Sequence, residues 1–358
     1  MCFDEENFEW EPNFYYKETI SNNSDCLSNC NTFDIYRTTE NNIIIISPYI
    51  DQVNFSKEDH EIYLIDIKTK EIKEKLKGHK KRIVSVKIFK NPFTTKKYLI
   101  SSDKGNNIIV WDMQDKYNKI FEKNFEYSFT FIYSTLIIFT KAKTWIVASS
   151  IEEKNKTLIV DINKSDNYIT IKESENVPVY CLCYWYNKNA EGEKDAHNII
   201  QCGQNKIIIT QFPSNQTYLI INTEEKYKYN SGGLVFNIKD KDILAVSSCS
   251  GLVLIIDLIE KNTVKKIEMN DVHLFSFIKW NENYLIVNDM RNRKLIVIDI
   301  KRDYKIVSKN YLPEMEIDSF MKKIRHPDYG ECIITSGKNF KLNLFGIKGI
   351  MKSNDDIY

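Results

Sequence analysis

The sequence predicts an all-β protein: a single seven-bladed β-propeller of four-stranded antiparallel blades, closed by the N-terminal strand. Three observations point there. Short apolar runs ending in Asp recur at near-constant spacing, further runs of strand length surround each of them, and no stretch carries a long 3.6-residue apolar period. The runs are IYLID ending at Asp66, IIVWD at Asp112, TLIVD at Asp161, LVLIID at Asp257 and LIVID at Asp299. Weaker versions, KIIITQF near Gln211 and KLNLFG near Phe345, fill the remaining places, so that seven units succeed one another at intervals of 42 to 50 residues. That length holds four strands and their turns, the repeat of a propeller blade.

Each unit divides alike. A run such as IIIIS (43–47), YLISS (98–102) or ILAVSS (243–248) precedes the Asp-ending run across a polar link, the pattern of a hairpin. After the Asp comes a short turn and an alternating strand, as in EIKEKLK or TVKKIEM, and then a strand that opens the next unit: IVSVKIF, VYCLCYWY, LFSFIKW. Their wealth of Ile, Val, Tyr and Phe suits a pleated surface. The last unit stops soon after its third strand, while NFYYKETI at Asn13–Ile20 is a strand without a unit. Phe14–Ile20 is therefore expected to serve as the outer strand of the final blade, making residues 1–358 one domain without an open sheet edge.

Composition narrows the function classes. Of 358 residues, 50 are Lys or Arg and 49 Asp or Glu, a net charge of +1 that argues against nucleic acid as a partner. With 28% charged and 42% hydrophobic residues the chain is globular rather than disordered. The uncharged stretches 127–140 and 207–223 are too short or too polar for a transmembrane segment. The acidic start, MCFDEENFEW, has the wrong sign for a signal or transit peptide. An intracellular protein is expected, cytoplasmic by default, with the nucleus left open. The eight cysteines agree with a reducing compartment. Cys181 and Cys183 alternate in one strand and so share a face, Cys202 and Cys249 sit with apolar runs, and Cys26 with Cys30 is half of a metal site without its other half. These are read as structural thiols, with no metal.

Catalytic patterns are missing from the sequence. It has no Gly-rich phosphate loop, nucleophile elbow or His-Glu-x-x-His, and its five histidines, at 60, 79, 197, 273 and 326, are scattered. Cys202 and His197 are near in sequence but lack an orienting acid. Neither an enzyme nor a cofactor is expected.

One unit is sharper than the rest. In GHKKRIVSVKIFKNPFTTKKYLISSDKGNNIIVWDMQDK, Gly78-His79 and Trp111-Asp112 enclose a full repeat. This segment resembles the WD-repeat (WD40) proteins. The resemblance implies that His79, Ser101 and Trp111 join a hydrogen-bonded network that braces the blade. The family's Asp, six residues before the Trp, is Gly105 here, and Asp103 in the same turn is its candidate substitute. In other units Ile65, Val160, Ile256 and Ile298 replace the Trp, while the repeat-end Asp66, Asp112, Asp161, Asp257 and Asp299 remain.

What the resemblance implies is a non-enzymatic scaffold or adaptor with protein partners, a subunit of a multiprotein complex. In the family geometry, second-to-third-strand turns and the links between blades lie on one face. That face would receive Lys77, Lys80, Lys81, Arg82, Lys104, Lys154, Lys156, Arg291, Arg293, Lys294 and Lys338, partly offset by Asp51, Glu58, Asp59, Glu152 and Glu153. Its clusters, KGHKKR (77–82) and RNRK (291–294), form the candidate partner-binding face. The opposite face would carry longer loops at 91–97, 186–198 and 322–331, and Trp10 is a candidate anchor. Two alternatives stay open: a reader of phosphorylated or acidic peptides or phosphoinositides, and a substrate receptor of a cullin-type ubiquitin ligase. The lipid-binding Phe/Leu-Arg-Arg-Gly signature is absent. The ligase-type Trp-Asp-x-Arg/Lys reads Trp111-Asp112-Met113-Gln114.

Overall fold

Strands form wherever the sequence places its apolar runs. A computed structural model describes residues 13–20, 33–48, 60–125, 132–150, 157–171, 178–227, 230–313, 320–337 and 341–348. Trp10, Cys26, Cys30, Asp51, Glu58, Asp59, Glu152, Glu153, Lys154, Lys156 and Lys338 lie outside the described residues. Within these bounds the first strand, β1 (Asn13–Thr19), precedes blade 1, which holds β2 (Asp34–Arg37), β3 (Ile43–Pro48), β4 (His60–Asp66) and β5 (Ile72–His79). Blade 2 holds β6 (Ile83–Lys90), β7 (Lys97–Asp103), β8 (Asn107–Asp112) and β9 (Asn118–Asn124). Blade 3 holds β10 (Ile132–Phe139), β11 (Thr144–Ser150), β12 (Thr157–Asp161) and β13 (Lys164–Thr170). Blade 4 holds β14 (Val179–Tyr186), a one-turn helix α1 (Glu193–Ala196), β15 (His197–Gly203), β16 (Lys206–Phe212) and β17 (Gln216–Asn222). Blade 5 holds β18 (Asn230–Ile238), β19 (Lys241–Ser248), β20 (Leu252–Asp257) and β21 (Asn262–Glu268). Blade 6 holds β22 (Leu274–Lys279), β23 (Tyr284–Asp289), β24 (Lys294–Asp299) and β25 (Lys305–Tyr311). Three more strands follow, β26 (Met321–His326), β27 (Gly330–Gly337) and β28 (Lys341–Lys348).

Among the described residues these strands make seven four-stranded sheets, each antiparallel throughout. The seventh has the order β1-β28-β27-β26, and β1 runs antiparallel to β28 with Phe14 opposite Ile347 and Tyr16 opposite Phe345. The protein is thus an all-β ring of seven blades, and the N-terminal strand forms the outer edge of the last one.

The core is distributed, one apolar cluster at each contact between neighbouring blades. In β8, Ile108 and Val110 join the cluster shared with blade 3, whereas Ile109 and Trp111 join the one shared with blade 1. Successive side chains point to opposite faces, and both faces are covered, so the third strands read as unbroken apolar runs rather than as alternation. The outer strands face water on one side and do alternate, as in β21, where exposed residues interleave with half-buried Lys265 and Ile267. At the seam between first and last blades, Ile20, Ile43, Ile45, Ile334 and Leu344 share one cluster. Ile20 N–H donates to Leu342 C=O at 2.8 Å, and Lys70 of blade 1 pairs with Glu18 at 2.8 Å.

Two loop expectations are corrected. Most of 322–331 is not loop: β26 runs to His326 and β27 begins at Gly330. KKIRH looks polar, yet Met321 and Ile324 bury their side chains while Lys322 and Lys323 line the central channel. The insertion 186–198 is likewise shorter as a loop, since it contains α1 and the first residues of β15.

Candidate functional site

Blade 2 gathers four side chains from the sharpest repeat. Asp103, at the end of β7, accepts at 2.8 Å from His79 Nδ1 through one carboxylate oxygen. Its other oxygen accepts the N–H groups of Gly105 and Asn107 at 2.8 and 3.1 Å. A carboxylate only accepts, so His79 donates through Nδ1, and Nε2 is the ring nitrogen left to face Ser101. Ser101 donates its hydroxyl to that Nε2 at 2.7 Å and accepts from Trp111 Nε1–H at 3.0 Å. The chain Trp111 to Ser101 to His79 to Asp103 therefore runs in one direction with each donor used, and all four residues are buried. Gly105 has a reason to lack a side chain: a Cβ there would sit 2.9 Å from Lys81 Cγ and 3.2 Å from the Asp103 carboxylate.

The repeat-end aspartates act locally. Each caps the turn that follows the third strand by accepting backbone N–H groups two or three residues ahead. Asp66 takes Lys68 and Thr69 at 2.9 and 3.1 Å, Asp112 takes Gln114 at 3.0 Å, and Asp161 takes Asn163 at 3.0 Å. Asp257 takes Ile259 and Glu260 at 3.1 and 3.0 Å, and Asp299 takes Lys301 and Arg302 at 2.9 and 3.2 Å. In three blades a lysine beside the second strand closes on the free oxygen: Lys96 on Asp112 and Lys143 on Asp161, both at 2.9 Å, and Lys241 on Asp257 at 3.2 Å. Burial pushes these three carboxyls up, but the lysine and the turn amides outweigh it and hold them below the usual carboxylate range.

Antiparallel alternation settles which loops share a face. In every blade the second-to-third-strand turn and the exit toward the next blade fall at the same end of the sheet. Lys80, Lys81 and Arg82 occupy the link from β5 to β6, and Lys104 the turn after β7, where its N–H donates to Arg82 C=O at 2.8 Å. Arg291 and Arg293 lie in the turn after β23, and Lys294 opens β24. Lys80, Lys81 and Arg291 are exposed; Arg82, Arg293 and Lys294 are half-buried. The two clusters share an end of the ring but belong to blades 2 and 6. They are not one patch, and any single partner touching both must cross the channel mouth.

That channel holds a cavity of about 590 Å³ walled by first strands from blades 2 to 7. Its lining includes Arg82, Lys87, Lys104, Lys279, Lys322 and Lys323, and among the described residues no Asp or Glu. Lys322 pairs with Asp34 at 3.0 Å, Lys279 with Glu282 at 2.7 Å, and Lys323 with Glu331. Lys87 and Lys104 form no ion pair among the described residues. Loop charges alone do not reveal these cations. The available signal is a lysine inside an otherwise apolar first strand, as in IVSVKIF and LFSFIK. The channel wall also brings Cys202 beside Cys181 and Cys183, a grouping that sequence distance conceals.

No helix among the described residues is long and apolar enough to cross a membrane. No protein-family model matches the chain, and no curated protein matches it. Among solved structures, it resembles the β-propeller domain of Cps50 (Swd1) from Myceliophteria thermophila, with a TM-score of 0.65 over 94% of this chain and 100% of that one. Identity is 15%, so the likeness speaks to fold alone. By blade count, strand order and this likeness, the chain is a seven-bladed β-propeller.

Proposed function

We propose that this chain is a WD-repeat-type scaffold that works by binding protein rather than by catalysis. It holds an acidic or phosphorylated segment of a partner across the mouth of its central channel. The observation that carries this reading is the channel lining, which holds six cations and, among the described residues, no carboxylate; three of the six pair with carboxylates beyond the lining, and Arg82 and Lys104 continue it to the exposed Lys80 and Lys81. Lysines that only confer solubility belong on outer turns, whereas Lys87 faces a confined cavity with no ion pair among the described residues. An anionic segment laid there gains charge-assisted hydrogen bonds, and the rigid ring loses little freedom on binding. Blade bracing by His79, Ser101, Trp111 and Asp103 supports the WD-repeat reading.

The test is triple charge reversal, Lys80→Glu, Lys81→Glu and Arg82→Glu, in the full chain. Partners recovered at near-equal amounts with the wild type are expected to fall at least tenfold, with an unchanged circular dichroism spectrum. Full recovery of every partner on the reversed chain overturns the basic-face reading.

A further inference from the structure

The channel wall carries a group of side chains that scaffolding does not use. Cys181 and Cys183 lie two residues apart on β14, with their sulfurs 3.8 Å apart. Cys202 on β15 stands directly opposite Cys181 in the antiparallel register. All three sulfurs converge on Gly233 of the neighbouring β18: a Cβ there would lie 2.7 Å from Cys183 Sγ, 3.2 Å from Cys202 Sγ and 3.6 Å from Cys181 Sγ. The missing side chain is what gives the sulfurs room. Their exposure differs. Cys202 is fully buried, while Cys181 is half-buried and lines the central cavity.

We propose that Cys181 is a modification site for hydroperoxides, and that its oxidation ends in a disulfide to Cys202 across β14 and β15. The Cys181 sulfur attacks one peroxide oxygen and the O–O bond breaks. This leaves Cys181 as a sulfenic acid, and the second oxygen departs as hydroxide from hydrogen peroxide, or as alkoxide from an organic hydroperoxide, and takes up the thiol proton to become water or an alcohol. The Cys202 sulfur then attacks the sulfenic sulfur, the S–O bond breaks, and a water leaves with the Cys202 proton. Two electrons pass from the two sulfurs to the peroxide, which is the oxidant and is consumed.

Geometry selects both roles. Cys181 is the thiol of the three that lines the cavity, so a small oxidant in the channel meets it first. Directly opposite residues of antiparallel strands have Cα atoms about 4.5–5.5 Å apart, inside the span that a disulfide bridges. Cys183 follows Cys181 at about 6.6 Å along the same strand, near the upper limit and with a parallel Cβ direction. The surroundings favour attack by Cys181. Hydrogen bonds from the Cys183 and Cys202 thiols, together with the positive charge of Lys87 and a hydrogen bond from the Gly233 N–H, outweigh burial and hold it well below the usual thiol range. The same contacts with burial push Cys202 up, so it stays a protonated resolving thiol. Cys332 offers an internal contrast, since burial in the seam between blades 7 and 1 pushes its thiol up to about 12.

The experiment treats the folded full chain with hydrogen peroxide, blocks remaining thiols, and maps tryptic peptides without reduction. Residues 173–188 carry Cys181 and Cys183, and residues 195–206 carry Cys202, so trypsin separates the two partners. The expected product links these peptides through Cys181, and Cys181→Ser abolishes it. In Cys202→Ala the expected product is a Cys181 sulfenic acid trapped by dimedone. On the unmodified chain, brief iodoacetamide labelling at pH 7 is expected to reach Cys181 about tenfold or more faster than Cys332, in keeping with its larger thiolate fraction. A link within peptide 173–188 instead overturns the proposal, as does a Cys181 that stays reduced while Cys332 oxidises, or equal labelling of the two.

Discussion

Replacing Ser101 by Ala removes one oxygen from the centre of blade 2 and leaves two buried polar groups without partners. Trp111 Nε1–H loses its acceptor at 3.0 Å and His79 Nε2 its donor at 2.7 Å. Ser101 itself is 0% exposed, with Trp111 at 3% and His79 at 5%, so water does not replace the hydroxyl without opening the blade. Each unsatisfied buried group costs about 1–3 kcal/mol, which puts the pair at roughly 2–4 kcal/mol after some relaxation. An unfolding entropy of about 2.1 cal/mol/K per residue then converts this into a midpoint lower by about 3–5 °C for a chain of this length. Differential scanning calorimetry at neutral pH reads it. Ser101→Thr, which keeps a hydroxyl, is expected to lose less. In the double variant with Trp111→Phe the losses are expected to be sub-additive, because both changes break the same bond. A Ser101→Ala midpoint within 1 °C of wild type refutes the role of this hydroxyl as the hub.

Three further outcomes are expected. Phe14→Ala empties a side chain packed with Trp280, Ile333 and Phe345, at a cost of about 3 kcal/mol or more by urea unfolding, and removing β1 altogether costs more. Gly232→Ala is expected to disrupt the contact of blades 5 and 6, since its Cβ would lie 1.7 Å from the Phe275 carbonyl oxygen; recovery of soluble protein at the wild-type midpoint contradicts this. Acid weakens the fold in two stages. Burial lowers the pKa of His60 and His326, so the unfolded chain protonates first as pH falls through about 6.5, and stability begins to decline there. Asp112, Asp161 and Asp257 are depressed, so their stabilisation is complete above about pH 4–5 and is lost as pH falls through their folded values. A midpoint flat from pH 7 to pH 3 is the contrary result.

What was legible in the sequence follows from burial on both faces. IIVWD and LIVID are apolar at successive positions because the third strands are sandwiched between neighbouring blades, and that continuity exposes the repeat even in units that carry Ile or Val where IIVWD has Trp. The Asp that ends each run is readable for a similar reason, being bound to the chain just ahead of it. The less visible features are long-range. Lys322 and Lys323 read as loop charges because nothing local shows that they line a channel. Cys202 lies 19 residues from Cys183, and only the register of β15 against β14 brings them together. The two basic clusters look alike in sequence, yet ring topology sets them in blades 2 and 6, with the channel between.

The most direct measurement compares wild-type chain with the Lys80→Glu, Lys81→Glu, Arg82→Glu variant in purification from native cells, with absolute quantification of each bound protein. A protein-binding ring with a basic mouth is expected to carry one or more partners near equal stoichiometry and to lose them on reversal. Wild-type chain recovered as a clean monomer, or partners held equally by both forms, contradicts it.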